Sequence, residues 1–171
     1  MNLILADLTN EFRKHKTMAD RAIGGLSDDA FFQRPGQAVN PIALIVKHLA
    51  GNLQSRWADF LTTDGDKPTR DRDTEFVLGP GDSRANLLAA WERGWGILLG
   101  ALGELTDADL GRTITIRGEP HRVQQALLRG LSHTAYHVGQ ILYVKRWLKP
   151  DAAYQTIAPG QSKQHVSRYL P

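Results

Sequence analysis

Apolar residues recur at helical spacing along four long stretches of the chain, and each stretch has a single apolar stripe. These stripes predict helices over residues 2–26, 40–62, 84–105 and 123–148. Asn40 and Pro41 favour a helix start, because Asn caps helix N-termini and Pro suits the first helical position. Ser27 and Thr106 each predict a further short helical turn. The pattern therefore predicts an all-α fold.

Two segments between the predicted helices lack this pattern. Residues 63–83 are rich in charge and contain Pro and Gly, which predicts an irregular connection. A connection this long lets the helices that it joins run parallel. It is also a candidate lid, although a solvated loop is the favoured interpretation. In residues 112–122, β-branched side chains from Thr113 to Ile116 and a turn at Gly118 predict a small extended excursion.

The composition is typical of one folded domain, predicted over residues 1–171 with a C-terminal tail from residue 150. Hydrophobic residues make up 42% and charged residues 23% of the chain. The net charge of +3 is too small to predict a nucleic-acid partner. No apolar segment reaches the ~20 residues of a membrane span, and the N-terminus lacks the basic start of a signal peptide. We therefore expect a cytoplasmic protein that acts on a small molecule, without a membrane partner.

The chain has no cysteine, so any metal must be held by histidine, carboxylate or water. His133 and His137 lie four residues apart on the last predicted helix, which puts both imidazoles on one face. Such a pair can bring two ring nitrogens onto one ion. His48, on the edge of the second helix's apolar stripe, is the best candidate for a third ligand. On spacing alone, histidines that only pack in the core remain the competing interpretation, and His15 is a weaker candidate ligand.

Two amides are candidate pocket residues. Asn52 follows His48 by four residues and projects to a similar side of its helix. Gln140 lies about one turn beyond His137 and could hydrogen-bond a bound group, the alternative being a surface amide. No catalytic residue stands out, since Thr134 occupies the position of the glutamate in the H-E-x-x-H zinc signature.

Three segments carry a resemblance to a known family. They are NPIALIVKHLAGNLQSRWADFLTTDGDKP, RTITIRGEPHRV and LSHTAYHVGQILYVKRWL. Together they resemble the DinB/YfiT-like superfamily, and within it a branch of small bacterial proteins named only as a domain of unknown function. The similarity extends from Phe12 to the APGQSK segment. It implies a DinB-like four-helix bundle with an up-down-down-up order of helices and a long crossover between the second and third.

The resemblance also implies a metal site and a chemistry. It puts a triad of metal ligands at His48, His133 and His137, which would hold a divalent transition metal, Zn or Ni first, with Fe or Mn as further candidates. Three protein ligands leave coordination positions open, as in catalytic sites. Characterised relatives imply a thiol-dependent S-transferase that uses a low-molecular-weight thiol cosubstrate on small electrophiles, and a homodimer. The alternative is a non-catalytic protein that binds a metal or ligand in a stress response, or serves as a scaffold.

Overall fold

The computed structural model describes residues 3–150, 160, 161 and 163, and within them the chain is mostly helical. Five α-helices are present in this part of the chain, four of them long. They are α1 (Leu3–Gly24), α2 (Asp28–Phe32), α3 (Ile42–Trp57), α4 (Arg84–Glu104) and α5 (Val123–Leu148). The predicted tail lies outside the described residues except at the positions just given. None of the described helices is both long and apolar enough to cross a membrane.

The boundaries of α1, α4 and α5 agree with the apolar pattern, whereas those of α3 do not. The helix ends at Trp57, five residues before its predicted end. Asp59 has a positive φ of 47°, and the backbone amides of Thr62 and Thr63 both donate to its carbonyl. This tight turn replaces the last predicted helical turn. The prediction that Asn40 caps the helix is also wrong, because Pro41 directly precedes the first helical residue and offers no side-chain cap.

The core lies between the four long helices. α3 packs most extensively against α4, and α1 against α5. Trp91 and Trp95 of α4 are fully buried, as predicted, together with Phe12 of α1. A Cβ at Gly94 would lie 3.0 Å from the carbonyl oxygen of Ala50, so the absence of a side chain lets α4 approach α3 closely.

Polar contacts tie the ends of the helices together. The Arg84 guanidinium, at the start of α4, donates to the carbonyl of Leu26 (2.8 Å), just beyond the end of α1. The carbonyls left unpaired at a helix C-terminus accept such bonds well. Lys149, just after α5, donates to the carbonyl of Gly25 (3.3 Å). The start of α4 and the end of α5 therefore meet at the end of α1.

A small hairpin precedes α5 and confirms the predicted extended excursion. Strand β1 (Thr113–Ile116) pairs antiparallel with β2 (Glu119–Arg122). Arg117 and Gly118 form the two-residue turn, both with positive φ, the backbone that a tight hairpin requires. The carboxylate of Asp64 accepts from both turn amides at 2.8 Å, which anchors the long connection to the hairpin.

The connection before α4 is more ordered than the predicted irregular loop. Residues Asp73–Phe76 form a 3₁₀ turn that packs against α3. The Glu75 side chain of this turn is buried and that of Phe76 is half-buried. The segment is therefore not simply the solvated loop that the sequence favoured, since its centre enters the interior of the molecule.

Candidate metal centre

The fold brings together the three histidines that the sequence singled out. His48 lies in the second turn of α3, and His133 and His137 lie on the facing side of α5. The Nε2 atoms of His48 and His133 are 3.3 Å apart, and one nitrogen of each of the three rings lies within 4.8 Å of the others. Their ring centroids are 4.6 to 5.3 Å apart. We call these three residues the histidine cluster.

The rings of the histidine cluster are largely buried, and burial keeps the rings of His133 and His137 neutral. His48 and His137 are only 4% and 7% exposed, and His133 is half-buried. Burial, assisted by the neighbouring rings, lowers the pKa of His133 to about 3. Burial and the nearby His48 lower the pKa of His137 to about 4, against the opposing effect of Gln140. At neutral pH both rings therefore keep a free nitrogen lone pair.

A carboxylate from the long connection fixes the orientation of His48. Its Nδ1 lies 2.8 Å from Oε2 of Glu75. Arg70 donates two hydrogen bonds to the same carboxylate, from Nε at 2.7 Å and from Nη2 at 2.9 Å. Because the carboxylate accepts the Nδ1 proton, the lone pair of His48 is on Nε2, the atom that faces His133.

The Glu75 carboxylate stays ionised although it is buried at 6% exposure. Burial by itself raises its pKa, but the hydrogen bonds from His48 and Arg70 outweigh this and lower it below its ordinary value. The carboxylate reaches His48 across the surface of α3 at Gly51. A Cβ at that position would overlap Glu75, so glycine is required for the close approach.

Gln140 orients His137 in the same way. Its Oε1 lies 2.8 Å from Nδ1 of His137, so that nitrogen is the donor and Nε2 has the lone pair. This Nε2 atom is buried and has no hydrogen-bond partner in the described part of the chain. Gln140 is exposed, and its contact is with the histidine ring itself. Asn52, the other candidate, lines the same cavity as the histidine cluster.

These observations fit a transition-metal ion. Two nitrogen ligands at a tetrahedral zinc ion are separated by ~3.3 Å, which matches the distance between Nε2 of His48 and Nε2 of His133. The buried Nε2 of His137 has no hydrogen-bond partner among the described residues and is therefore available to bind an ion. Neutral imidazoles also suit such ions better than Mg or Ca. The residues present therefore fit the group that the sequence implied.

A cavity of about 440 Å³ opens directly onto the histidine cluster. α3, α5, the long connection and the hairpin all contribute to its wall. Tyr136 stacks on His137 with ring centroids 4.0 Å apart and lines the cavity as well. Molecules of the size of a small metabolite can therefore reach the three rings.

The remaining histidines lie apart from the cluster. His15 is half-buried on α1, its Nδ1 lacks a hydrogen-bond partner among the described residues, and burial lowers its pKa. His121 lies on strand β2 of the hairpin, where its Nδ1 is 3.0 Å from the carbonyl oxygen of Glu119. His165 lies outside the described residues. The weaker candidate ligand, His15, is therefore not brought to the site.

The sequence did not reveal Glu75 and Arg70 as parts of the site. Both lie in the charge-rich connection, where most side chains face water. One signal was available in the sequence, because Phe76 begins the only apolar run of that segment, FVL directly after Glu75. Phe76 packs on the His48 ring with centroids 4.8 Å apart, and this brings the preceding glutamate inward.

Fold and site together define a mostly helical protein with a buried three-histidine cluster beside an open cavity. A family model described as "Protein of unknown function (DUF1572)" matches residues 2–162. The chain belongs to this family, which confirms the resemblance to a domain-of-unknown-function branch. A search of curated proteins found no match.

Proposed function

We propose that the protein is a divalent-metal-dependent enzyme whose ligands are His48, His133 and His137. One observation carries the proposal: three imidazoles converge on one point at the wall of an open cavity. A closed structural site takes four protein ligands, whereas a catalytic site keeps a position for water or substrate. The open cavity thus favours catalysis over the non-catalytic alternative.

The proposed reaction is transfer of a low-molecular-weight thiol to a small electrophile. A divalent transition metal, when bound, would lower the pKa of the thiol and so supply the nucleophile. An S–C bond forms as the thiol loses its proton, and the leaving group departs with its electron pair. The chain has no cysteine, so the thiol must be a cosubstrate.

The residues around the histidine cluster have defined parts in this proposal. Glu75 and Gln140 hold the rings of His48 and His137 with their Nε2 lone pairs directed at one point. Phe76 and Tyr136 pack on two of the rings and form part of the cavity wall beside them. The chemistry would take place on the cavity side, where Asn52 is available as a hydrogen-bonding group.

We also propose that the helices form a four-helix bundle with the up-down-down-up order. The contact of Arg84 with Leu26 supports opposite directions for α1 and α4. The contact of Lys149 with Gly25 supports the same direction for α1 and α5. His48 faces α5 near its middle and Trp57 packs at Gly130, which supports opposite directions for α3 and α5. The homodimer stays a prediction, which light scattering would test.

The first test is the metal content of untagged protein, measured by mass spectrometry of the elements. We expect about one Zn or Ni per chain, lost in His133→Ala and kept in the matched control His121→Ala, because three imidazoles are needed to hold the ion. Metal-loaded protein should then conjugate electrophiles with glutathione, bacillithiol or mycothiol.

Two results would contradict the proposal at different levels. A chain that holds no metal and takes up neither Zn nor Ni would reduce the histidine cluster to packing residues. Full metal occupancy without conjugation by any of the three thiols would reject the S-transferase. A cobalt-substituted form without an exchangeable water would then favour the non-catalytic alternative.

A further inference from the structure

Guanidinium groups dominate the wall of the cavity beside the histidine cluster. Five arginines line it, from α3, the long connection, the hairpin turn and α5: Arg56, Arg70, Arg72, Arg117 and Arg129. No Asp or Glu side chain is among the described residues that line it. The cavity is therefore strongly positive, in a protein whose overall charge is only +3.

Carboxylates behind the wall neutralise only part of this charge. Arg70 is paired with Glu75, and both Arg70 and Arg117 lie near Asp66, at 3.7 and 3.0 Å. These pairs belong to the structure of the connection and the hairpin. None of the other three arginines forms an ion pair with a carboxylate of the described residues, although Asp66 is near enough to Arg56 to favour its charge slightly.

Arg56 is the most unusual of the three. It lies on α3, eight residues after His48, and is partly buried, with Nη1 buried and without a hydrogen-bond partner in the described part of the chain. No carboxylate of the described residues forms an ion pair with it. Burial, followed by repulsion from Arg129 and Arg70, lowers its pKa to about 10. Holding such a charge unpaired is costly, which indicates a partner that the chain itself does not provide.

Arg129 faces the same cavity from the other side. It lies four residues before His133 on α5, so both side chains are on one face of the helix. Its one polar contact in the described part of the chain is a long one, from Nη1 to Nε2 of His121 at 3.4 Å. Arg129 is exposed and has no acidic partner among the described residues. Its fork of donors is therefore available to a ligand.

We propose that the cavity binds a substrate with an oxyanion group, a carboxylate or a phosphate, which Arg56 and Arg129 hold while the rest of the molecule reaches the histidine cluster. Planar guanidinium groups bind such anions through paired hydrogen bonds. This inference rests on the proposed function, since it names the substrate class of the same site. Either the thiol cosubstrate or the electrophile would bring the anion.

The test is calorimetric titration of the full chain with succinate and with inorganic phosphate, in buffer without chloride. Using both the metal-loaded and the chelator-treated protein separates anion binding from metal binding. We expect at least one anion to bind, and Arg129→Gln and Arg56→Gln each to weaken it about ten-fold. Arg93→Gln, an exposed arginine on α4 away from the cavity, should change nothing.

The two anions distinguish the possible substrate groups. Preferential binding of succinate indicates a carboxylate on the substrate, whereas preferential binding of phosphate indicates a phosphoryl group. Arg129 is exposed, so its variant should fold even if Arg56→Gln does not, and circular dichroism checks both. Absence of binding by both anions, or equal affinity in Arg129→Gln and wild type, would overturn the inference. A chain that takes up neither Zn nor Ni but still binds the anion through Arg129 would reject the proposed function alone.

Discussion

At the scale of single residues, the histidine cluster depends on groups that set its ring orientation. The imidazole of His48 can present either nitrogen, and Glu75 selects Nε2 by accepting the proton of Nδ1. Arg70 in turn keeps the carboxylate ionised and in place. The three residues form a chain of charge-assisted hydrogen bonds from the connection to the centre of the site.

Replacing this carboxylate by an amide is the test at the residue scale. We expect Glu75→Gln to lower metal affinity by about ten- to 100-fold, because the amide is a weaker acceptor for Nδ1 of His48. Competition against a chromophoric chelator measures the affinity. Asp73→Asn, an exposed change in the same 3₁₀ turn, is the control and should bind metal like wild type. Wild-type affinity in Glu75→Gln would leave the carboxylate with only a packing function.

At the scale of elements, two glycines on α4 have opposite surroundings. Gly94 faces α3, with the Ala50 carbonyl 3.0 Å and the Leu53 Cβ 3.2 Å from where a Cβ would lie. Gly100, on the same helix, is exposed and has no atom within 4 Å of that position. The first glycine permits helix contact, whereas the second only adds flexibility to the unfolded chain.

The two alanine variants should therefore change stability in opposite directions. We expect Gly94→Ala to lower the free energy of unfolding by ~1–3 kcal/mol, because backbone atoms of α3 must move. Gly100→Ala should raise it by up to ~1 kcal/mol through helix propensity. Chemical denaturation measures both. If Gly94→Ala were as stable as Gly100→Ala, the close contact between α3 and α4 would not exist in solution.

At the scale of the whole molecule, the buried histidines link folding to pH. The pKa values of His133 and His137 in the folded protein, about 3 and about 4, lie below the ordinary value of about 6.5 in an unfolded chain. Below pH 6.5 the unfolded chain therefore binds protons that the folded chain does not. The contribution of these two histidines to stability is complete above this pH, and it is lost as the pH falls through about 4 for His137 and about 3 for His133.

Metal-free protein should accordingly melt at a lower temperature at pH 5 than at pH 7. A double variant, His133→Asn with His137→Asn, should show a smaller decrease, and His121→Asn the same decrease as wild type. Burial also lowers the pKa of His15. This histidine therefore accounts for part of the decrease in melting temperature that remains in the double variant. Carboxylates whose pKa is lowered in the folded protein, such as Glu75, affect the pH dependence of stability only at more acidic pH. Equal decreases in wild type and double variant would contradict the burial of neutral histidines.

Much of the fold was predictable because it depends on local pattern. The apolar stripe of residues 123–148 is uninterrupted by Pro, and α5 has these same bounds. The β-branched run from Thr113 to Ile116 likewise indicated a strand. The early end of α3 was not predictable from its apolar residues, because the stripe continues to Phe60 while the backbone turns at Asp59.

For the site, the sequence by itself determined the pair on α5, since four residues of helix place His133 and His137 on one face. It also nominated His48 as the best candidate for a third ligand, and the family resemblance then implied a metal triad at these three positions. Only the tertiary structure decided that the three rings meet, that Glu75 and Arg70 enter behind them, and that arginines from distant segments share one cavity. The physical reason is that helical periodicity acts within an element, whereas contacts between elements depend on close approach at positions such as Gly51 and Gly94.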